Sequence, residues 1–409
     1  MELLMALRNL IRHWKRNLLV SGTIIVGILS IIIIGGYYEY NYWGLRESMI
    51  RSQFGHIQIY PKGFLENKDI SQFSYRIDNL DELMRFLKGI PNVVVVTPRL
   101  EYMALMNTPD GRSKIVNVRG VVPEEEALIS TFITYKEGMN LRSKDEDSVE
   151  VGYTLSKEMD IKLNGRLFLT VIRVDGEQNA MAFNVKSIVG SYSEEFDRRI
   201  VRMNLKTAQE LIGFPYVQEI VILLNDTDKT EEIKKVINKE IAKRGWNLEL
   251  TDWLYHAGYY VQVVEFYSGY FRIILSIIVI VVFFVSLITS LMSFFERVTE
   301  IGTIRSLGAS NVTIFKMFIY EGLIMGVFST VLGILLGVGI ANLINILGGI
   351  YMPPPPGLTT SVMVKIIVKY NLILTSFVIG VMIPLISALI IFFKTIRMTV
   401  IEQIRVNEQ

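Results

Sequence analysis

Residues 296–309 interrupt long apolar sequence with charge and read Glu296-Arg297-Val298-Thr299-Glu300-Ile301-Gly302-Thr303-Ile304-Arg305-Ser306-Leu307-Gly308-Ala309. Charged side chains at this density are costly to place in the core of a bilayer. The apolar runs on both sides are long enough to be membrane spans. The pattern predicts a short polar helix wedged between two spans, with a surface suited to contact a soluble partner.

Four apolar runs reach the length of about 20 residues that a membrane helix needs. They cover residues 18–37, 273–295, 322–347 and 372–393. The first run follows a basic stretch, but it is long and no Ala-x-Ala cleavage pattern follows it, so we expect an uncleaved span. The predicted fold class is an integral membrane α-helical protein with four transmembrane helices and a large α/β extracytoplasmic domain, residues 38–272, between helices 1 and 2.

Composition narrows the classes of function. Half of the residues, 51%, are hydrophobic, which is high for a soluble protein. Residues 38–271 carry 29 Lys and Arg against 34 Asp and Glu, so the polar domain has no basic surplus with which to bind nucleic acid. The absence of cysteine excludes disulfides and thiolate chemistry. Three distant histidines argue against a zinc site, so no metal site is predicted.

Positive charges at the ends of the spans predict the orientation, because Lys and Arg concentrate on the cytoplasmic side. The N-terminus, the link over 296–321 and the tail over 394–409 all carry them, which places both termini in the cytoplasm and the large domain outside. The short link over 348–371 then also lies outside. Residues 1–17 are predicted to form a cytoplasmic amphipathic helix, with apolar residues at helical spacing; the alternative is a basic extension of the first span. The apolar positions are Leu3, Leu4, Leu7, Leu10, Ile11 and Trp14.

The large domain shows strand-like and helix-like runs in mixed order. Residues 38–53 and 253–272 are expected to continue the spans outward as helical stalks. Asp228 or Thr230 is expected to cap the longest helix and Gly245 to end it. The predicted strands are 55–60, 93–97, 102–107, 115–121, 167–174, 185–189, 200–204 and 219–224; the predicted helices are 80–87, 207–212 and 230–244.

No catalytic constellation is visible in this domain. The acidic run Glu124-Glu125-Glu126 follows a proline and is expected to begin a helix, where acidic side chains interact favourably with the helix dipole. A second acidic run, 145–147, is expected in a solvated loop. His56 lies in a strand pattern and is expected to be structural. The chain has no G-x-x-x-x-G-K-[ST] sequence, so it cannot bind ATP through a P-loop.

Aromatic residues concentrate where the domain meets the membrane. One interpretation is an interfacial aromatic belt; the other, compatible with it, is an amphipathic chamber for a substrate with an acyl or apolar part. The residues of the predicted chamber are Tyr37, Tyr38, Tyr42 and Trp43 on one side and Tyr259, Tyr260, Tyr267 and Tyr270 on the other.

The third apolar run carries a G-x-x-x-G pair, Gly333 and Gly337, which allows two helices to approach closely. Glu321 lies at the inner end of this run, where we expect water to reach it. The spans otherwise lack charge, which is poor support for an ion channel or a proton-coupled carrier. A transporter built from this chain would need an external source of energy.

The residues of the 296–309 stretch also carry a family resemblance. The pattern Glu296-Arg297-x-x-Glu300-Ile301-Gly302-x-Ile304-Arg305-x-Leu307-Gly308-Ala309 resembles the signature after the second span of the FtsX/MacB-type ABC transporter permeases. The closing segment 401–405 lacks the usual proline of the family, and Asn164-Gly165 stands where the family often has Gly-Asp. Segments similar to the lipoprotein-releasing (LolC/LolE-like) branch are 8–10, 55–59, 118–121, 197–209 and 352–357.

The resemblance implies a permease subunit of the bacterial inner membrane with a MacB-like periplasmic core domain. It implies a dimer, with a second copy or a paralogue, and two cytoplasmic ABC ATPase subunits that bind ATP and Mg; this chain itself would bind no cofactor. Periplasmic or outer-membrane components are also compatible with it. The stretch after span two would be the coupling helix, with these ATPase-coupling residues: Glu296, Arg297, Glu300, Ile301, Gly302, Ile304, Arg305, Leu307, Gly308 and Ala309.

Three functions stay open at this point. The first is mechanical extraction or export of a lipoprotein, an acylated protein or another amphipathic substrate, and the size of the domain and the Pro353–Gly357 link favour it. The second is an FtsX-like regulatory scaffold that controls a cell-wall hydrolase. The third is a macrolide or peptide efflux permease. None of the three makes this chain an enzyme.

Overall fold

The structure is a computed structural model, and it describes residues 8, 11, 12, 14–191, 193–352 and 362–405. Most of the predicted amphipathic helix over 1–17 and the Pro353–Gly357 link lie outside the described residues. The described chain forms two compact units. The membrane unit comprises Met1–Tyr42, Val263–Tyr351 and Met363–Gln409; the other unit, here called the interspan domain, comprises mainly Trp43–Gln262.

Helices and strands alternate along the interspan domain, whereas the membrane unit is almost entirely helical. The helices are α1 (Trp14–Met49), α2 (Phe64–Ser71), α3 (Leu80–Lys88), α4 (Pro123–Ile129), α5 (Tyr153–Glu158), α6 (Glu194–Asp197), α7 (Leu205–Ile212), α8 (Thr230–Arg244), α9 (Trp253–His256), α10 (Gly258–Ser306), α11 (Asn311–Ile346), α12 (Tyr370–Arg397) and α13 (Val400–Arg405). The strands are β1 (Ile57–Pro61), β2 (Val93–Asn107), β3 (Ser113–Val121), β4 (Thr134–Gly138), β5 (Ser148–Gly152), β6 (Arg166–Ile172), β7 (Gln178–Gly190), β8 (Ile200–Asn204), β9 (Glu219–Leu224), β10 (Leu248–Asp252), β11 (Ile350–Met352) and β12 (Val362–Val364).

Four described helices are long and apolar enough to cross a membrane, and they contain the four predicted spans. The second of them, α10, runs without a break from Gly258 to Ser306. The prediction of a separate short helix after the second span is therefore wrong. No proline interrupts this stretch, and a single glycine, Gly302, costs only about 1 kcal/mol in a helix interior. The helix ends at Ser306, and Gly308, whose φ of 95° lies in the left-handed region, follows in the turn.

Glycines of α11 allow close packing on two sides. A Cβ atom at Gly333 would lie 2.9 Å from the Cβ of Ile28, and one at Gly337 would lie 3.1 Å from the Cβ of Ile32, both on α1. Nearer the start of α11, Gly326 faces the backbone of Val381 on α12 at 3.2 Å. Small residues that let backbones approach are a main source of helix association in lipid, since burial in hydrocarbon supplies little driving force there.

The interspan domain is built on a ten-stranded mixed sheet with the order β10-β1-β9-β2-β3-β8-β5-β7-β4, and β6 pairs with both β2 and β7. The pairs β3–β8 and β5–β7 are parallel and the others are antiparallel. This confirms the predicted α/β class. The predicted strands 93–97 and 102–107 are one strand, β2, in which Pro98 pairs with Ile220. Three short strands, β4, β5 and β10, were not predicted, because polar and acidic residues dilute their alternation.

The two largest of three apolar clusters among the described residues form the main cores of the domain. One lies where α3 and α8 pack on β1, β2 and β9, and the other where α5 and α7 pack on β3, β5, β6, β7 and β8. Side chains of the first cluster include Ile57, Ile59, Leu83, Leu87, Val96, Ile220, Ile222 and Ile237. Side chains of the second include Leu100, Met106, Val118, Val149, Leu155, Leu167, Phe183, Val201 and Leu211.

The predicted ends of elements are partly right. Gly245, with a φ of 67°, ends α8 as expected. The N-cap of α8 is Lys229, which makes no side-chain cap, and the capping side chain is that of Asp226, which precedes a short 3-10 turn. The stalk predicted over 38–53 is continuous with α1 and ends in a π-helical turn, Ile50–Phe54. The stalk predicted over 253–272 is interrupted at Ala257, between α9 and α10.

Candidate functional site

The candidate site is the elbow, defined here as residues 296–321, which comprises the end of α10, a tight turn and the start of α11. The turn is closed by main-chain hydrogen bonds, from Gly308 N to Arg305 O at 3.0 Å and from Ala309 N to Ile304 O at 3.2 Å. The Ser310 hydroxyl then accepts a hydrogen bond from Thr313 N at 3.2 Å and caps α11. Gly308, with its positive φ, therefore lies in the turn that follows α10, and Ser310 caps α11.

The two arms of the elbow are held together by an apolar interior. Ile301 on α10 is buried in the same cluster as Ile314 and Phe318 on α11, and Ala388 and Ile391 on α12 complete it. These contacts follow from helical spacing, because positions three and four apart share one face. Ile301 therefore serves this chain's own packing, while Ile304 and Leu307 stay exposed.

A buried ion pair closes the base of the elbow. Arg297 Nη1 and Nη2 donate to Glu321 Oε1 and Oε2, each at 2.8 Å. The side chains are only 6% and 14% exposed. Glu321 also lines a small cavity beside the pair, and Arg297, expected to make charged contacts with a partner, is turned inward to Glu321.

Arg305 is likewise engaged within the chain. Its Nη1 atom donates to the carbonyl oxygens of Thr395 at 3.3 Å and Met398 at 3.0 Å, where α12 ends. Gln403 Nε2 on α13 donates to the same Thr395 oxygen at 2.8 Å. The last carbonyls of a helix have no partner within the helix, so these two side chains satisfy them and attach the elbow to the end of the fourth span.

The residues left on the surface of the elbow form a stripe. Glu296, Glu300, Ile304 and Leu307 are exposed and recur at spacings of three and four, which places them on one face of α10. Leu307, at the tip, is 83% exposed. Glu300 makes a surface ion pair with Arg12 at 3.3 Å. An exposed leucine beside carboxylates is suited to dock on another protein, with an apolar anchor and a charged rim.

The aromatic residues of the predicted chamber are partly brought together. The ring of Tyr38 lies near those of Tyr37, Tyr42 and Tyr267, at centroid distances of 5.7, 6.2 and 6.1 Å. The ring of Phe271 lies 5.4 Å from that of Tyr38. This aromatic cluster joins the C-terminal part of α1 to the N-terminal part of α10 within the membrane unit.

Other residues of the predicted chamber make further ring contacts. Tyr270 packs on Phe266 at 4.8 Å. Tyr260 stacks edge-on with Trp253 at 5.1 Å within the interspan domain, to which Trp43 also belongs. The side chain of Tyr259 is outside the described residues. Among the residues that the structure describes, no group of three or more His, Asp or Glu side chains is arranged to hold a metal ion.

A buried ionic network in the interspan domain was not predicted. Arg99 Nε and Nη2 donate to the two oxygens of Glu126, at 3.0 and 2.8 Å, and Arg202 Nη2 donates to Glu150 at 2.6 Å. Burial alone would raise the pKa of Glu126, but the nearby Arg99, Arg202 and Arg119 outweigh it and lower that pKa. Sequence reasoning missed the network because its members are far apart in the chain and join only through the sheet.

His56 is structural, as expected, and its hydrogen bonds have a fixed direction. Leu224 N donates to Nδ1 at 3.0 Å, so that nitrogen carries no proton, and Nε2–H must then donate to Thr227 Oγ1, also at 3.0 Å. The Thr227 hydroxyl donates in turn to Glu47 on α1 at 2.9 Å. Burial lowers the pKa of His56 to about 4, with Arg51 and Arg46 adding to the effect and Glu47 opposing it.

Four membrane-crossing helices, a large mixed α/β domain between the first two and an exposed elbow between the second and third define a polytopic membrane protein of the permease class. Residues 18–240 match the MacB-like periplasmic core domain family, and residues 272–400 match the FtsX-like permease C-terminal family. The chain belongs to the FtsX/MacB-type permeases.

Relatives at low identity include two lipoprotein-releasing system proteins and an uncharacterized ABC transporter permease. The chain is 23% identical over 287 residues to the lipoprotein-releasing system transmembrane protein LolE of Haemophilus influenzae, and the match covers 67% of each chain. It is 25% identical over 282 residues to LolC of Neisseria meningitidis, covering 64% of this chain and 65% of that one. An uncharacterized ABC transporter permease of Methanocaldococcus jannaschii is 24% identical over 84% of each chain.

Two solved structures each match about half of this chain. The periplasmic region of MacB from Actinobacillus actinomycetemcomitans matches with a TM-score of 0.36 and 13% identity, covering 51% of this chain and 92% of that one. The extracellular domain of the transporter YknZ from Gram-positive bacteria matches with a TM-score of 0.35 and 8% identity, covering 48% and 98%.

Proposed function

We propose that this chain is the permease subunit of an ABC transporter that extracts or exports a lipoprotein, an acylated protein or another amphipathic substrate. ATP hydrolysis takes place on a separate ATPase subunit, which holds ATP and Mg. The observation that carries the proposal is the exposed stripe on the elbow of an FtsX/MacB-type permease that has no P-loop of its own. The orientation that follows has the elbow and both termini in the cytoplasm and the interspan domain in the periplasm.

The elbow has the chemistry of a docking element. Leu307 provides an apolar anchor at the tip, and Glu296 and Glu300 provide a charged rim on the same face. Anchors of this kind dominate the binding energy of interfaces, whereas exposed charges at the rim mainly set orientation and rate. The partner surface is therefore a cleft with an apolar pocket beside basic residues. Arg297 and Arg305 are not part of this contact, because both are engaged inside the chain.

The substrate class rests on two supports. The LolE and LolC relatives are named as lipoprotein-releasing system proteins. The aromatic cluster around Tyr38 adds a surface, on the outer parts of α1 and α10, where an acyl chain can lie against rings and a polar group against phenolic hydroxyls. A second permease subunit, either the same chain or a paralogue, completes the transporter in this proposal.

Docking is tested by replacing the tip of the elbow. The full chain, purified in detergent from its native membranes, is expected to carry an ABC ATPase, identified by mass spectrometry of its P-loop peptide. Leu307→Asp should reduce the recovered ATPase at least about tenfold, since losing one interface anchor costs more than about 1.4 kcal/mol. The matched control is Leu347→Asp, a leucine 75% exposed just beyond the opposite end of α11.

Two results would overturn the docking assignment. The native chain could carry no ATPase, or Leu307→Asp and Leu347→Asp could recover it equally.

The substrate is tested in proteoliposomes with a fluorescent triacylated lipopeptide. The photo-crosslinking residue benzoylphenylalanine is placed at position 38 or, as a control on the same helix, at position 14. Labelling at 38 alone supports the substrate class and equal labelling contradicts it. Capture of only a cell-wall hydrolase in native membranes would favour the regulatory alternative.

A further inference from the structure

The ion pair between Arg297 and Glu321 has a geometry that fixes how two spans sit against each other. Both terminal nitrogens of the guanidinium meet both carboxylate oxygens at 2.8 Å. Such bidentate pairs constrain the plane and the direction of the two groups as well as their distance. Because Arg297 lies on α10 and Glu321 on α11, the pair sets the axial register of the two helices.

Burial indicates that net stability alone does not account for the pair. Removing two charges from water costs about as much as their attraction returns, and apolar replacements are often equally stable. The neighbouring contacts of Phe294, Val298 and Phe318 are apolar and non-directional. Such contacts tolerate small shifts along the helix axis, whereas the bidentate ion pair does not.

The rest of the elbow is equally firmly attached. Arg305 bonds the end of α12 through the carbonyls of Thr395 and Met398, and Ile301 packs between the arms. Among the described residues, the elbow is thus attached to the spans by contacts that are at least partly shielded from solvent. A displacement of the tip moves α10, α11 and the end of α12 together.

We propose that Arg297 and Glu321 are positioning residues that transmit the movement of the elbow to the outer ends of the spans. The inference rests on the proposed function, in which an ATPase moves the elbow. Neutralising one member leaves the docking stripe intact, because Glu296, Glu300, Ile304 and Leu307 lie on another face of α10. It removes the fixed register, so ATP hydrolysis continues while movement at the far ends of the spans is lost.

The absence of cysteine from the chain allows a direct measurement. Nitroxide labels are attached at Ile273→Cys on α10 and Leu374→Cys on α12, both exposed and far along their helices from the elbow. The complex of the full chain with its ATPase is examined by pulsed electron paramagnetic resonance with and without ATP and vanadate, with unlabelled chain in excess if two copies are present. The labelled native chain should show an ATP-dependent change in distance.

Glu321→Gln should retain the ATPase and its hydrolysis rate but lose most of the distance change. The glutamine side chain has the same length and nearly the same volume as that of glutamate, so it fits the same space beside the adjoining cavity of about 50 Å³. The charge swap Arg297→Glu with Glu321→Arg should restore the change. The apolar pair Arg297→Met with Glu321→Leu should fold and bind the ATPase but remain uncoupled.

The outcomes separate this inference from the function on which it rests. A native chain without an ATPase contradicts the proposed function. A native chain that binds and hydrolyses ATP, with Glu321→Gln moving as the native chain does, overturns only the transmission role. Loss of ATPase binding in Glu321→Gln, or full movement in the apolar pair, also overturns it. The transmission role is also overturned if the charge-swap variant has the unfolding temperature of the native chain but shows no ATP-dependent change in distance.

Discussion

Arg99 and Glu126 form a bidentate ion pair inside the interspan domain, with their side chains only 1% and 4% exposed. Arg99 also donates through Nη1 to the carbonyl oxygen of Gln53, at the end of the helical stalk that continues α1. The same Glu126 accepts from the Ser130 hydroxyl at 3.0 Å, and Ser130 accepts from Arg202 at 3.0 Å. One carboxylate thus connects the end of the stalk, strand β2 and strand β8.

We expect Glu126→Leu to destabilise the domain by about 3–5 kcal/mol, because it leaves Arg99 buried without its partner. The double variant Arg99→Met with Glu126→Leu should recover part of that loss, since no charge then stays unpaired. Thermal unfolding of the full chain in detergent, followed by tryptophan fluorescence, measures both effects. Lys88→Met, which removes an exposed partner of the neighbouring Glu125, should change little. A double variant no more stable than the single one would contradict the unpaired-charge explanation.

Acid should destabilise the domain through His56. Its folded pKa of about 4 lies below the ordinary 6.5, so between these values the unfolded chain binds a proton that the folded chain does not. Stability is therefore complete above pH 6.5 and falls as the pH drops towards 4, by roughly 3 kcal/mol for this one group. Unfolding temperatures between pH 4 and 7.5 measure the slope.

His56→Gln should make that slope shallower by about one proton, because the unfolded state no longer has a group that titrates there. His256, whose pKa burial also lowers to about 4, remains in the variant and should keep part of the slope. Equal slopes for the native chain and His56→Gln would contradict the assignment of this pH dependence to His56.

The ionisation of Asp197 should make the domain less stable as the pH rises, which is opposite to the effect of His56. Burial raises its pKa from 3.8 to about 6, although Ser191, Arg202 and Lys136 oppose the shift. Its contribution to stability is complete below pH 3.8 and is lost as the pH rises through about 6, because the folded chain must then hold a buried charge. Asp197→Asn should be more stable than the native chain by about 1–2 kcal/mol at pH 8, after allowance for a weakened bond to Ser191 N.

The difference in stability between Asp197→Asn and the native chain should be nearly constant above about pH 7 and should shrink as the pH falls through about 6 to about 4. An advantage that does not depend on pH would show that packing, and not ionisation, determines the effect. In the native chain the two carboxylate oxygens share the single Ser191 N–H, each at 2.9 Å, so the amide oxygen of asparagine can still accept from it.

Replacing Gly333 with alanine tests the close approach of α11 and α1. An added methyl group would meet the Cβ of Ile28 at 2.9 Å and the carbonyl oxygen of Ile25 at 3.1 Å, and the backbone atom cannot rotate away. Gly333→Ala should therefore lower the unfolding temperature in detergent, with a cost of about 1–3 kcal/mol for overpacking. Gly339→Ala on the same helix meets no atom within 4 Å and should be neutral or slightly stabilising. Equal behaviour of the two variants would contradict this packing.

Much of the fold followed from local patterns. Apolar length located the four spans, and the residue types at the elbow located the turn, since Gly308 tolerates a positive φ and Ser310 can cap a helix. Alternation identified β8 and β9 to the residue, because both strands are short and buried. It missed β4, whose five residues are all exposed and give no apolar signal.

The partners of charged side chains could not be predicted in this way. Arg297 and Glu321 are separated by 24 positions, and a surface contact and a buried pair have the same local sequence. The charged residues of the elbow were expected to dock together on a partner. In the structure Arg297 instead pairs inward with Glu321, whereas Glu296 and Glu300 lie on the exposed stripe.

The sequence by itself determined the membrane spans, the class of the interspan domain and the place of the elbow, because these depend on hydrophobic length, periodicity and turn residues that act locally. Only the tertiary structure decided that Arg297 and Arg305 face inward, that Leu307 is the exposed tip and that Arg99 binds Glu126. Those facts depend on which distant segments the fold brings within hydrogen-bonding distance, and burial there makes an unpaired charge too costly to tolerate.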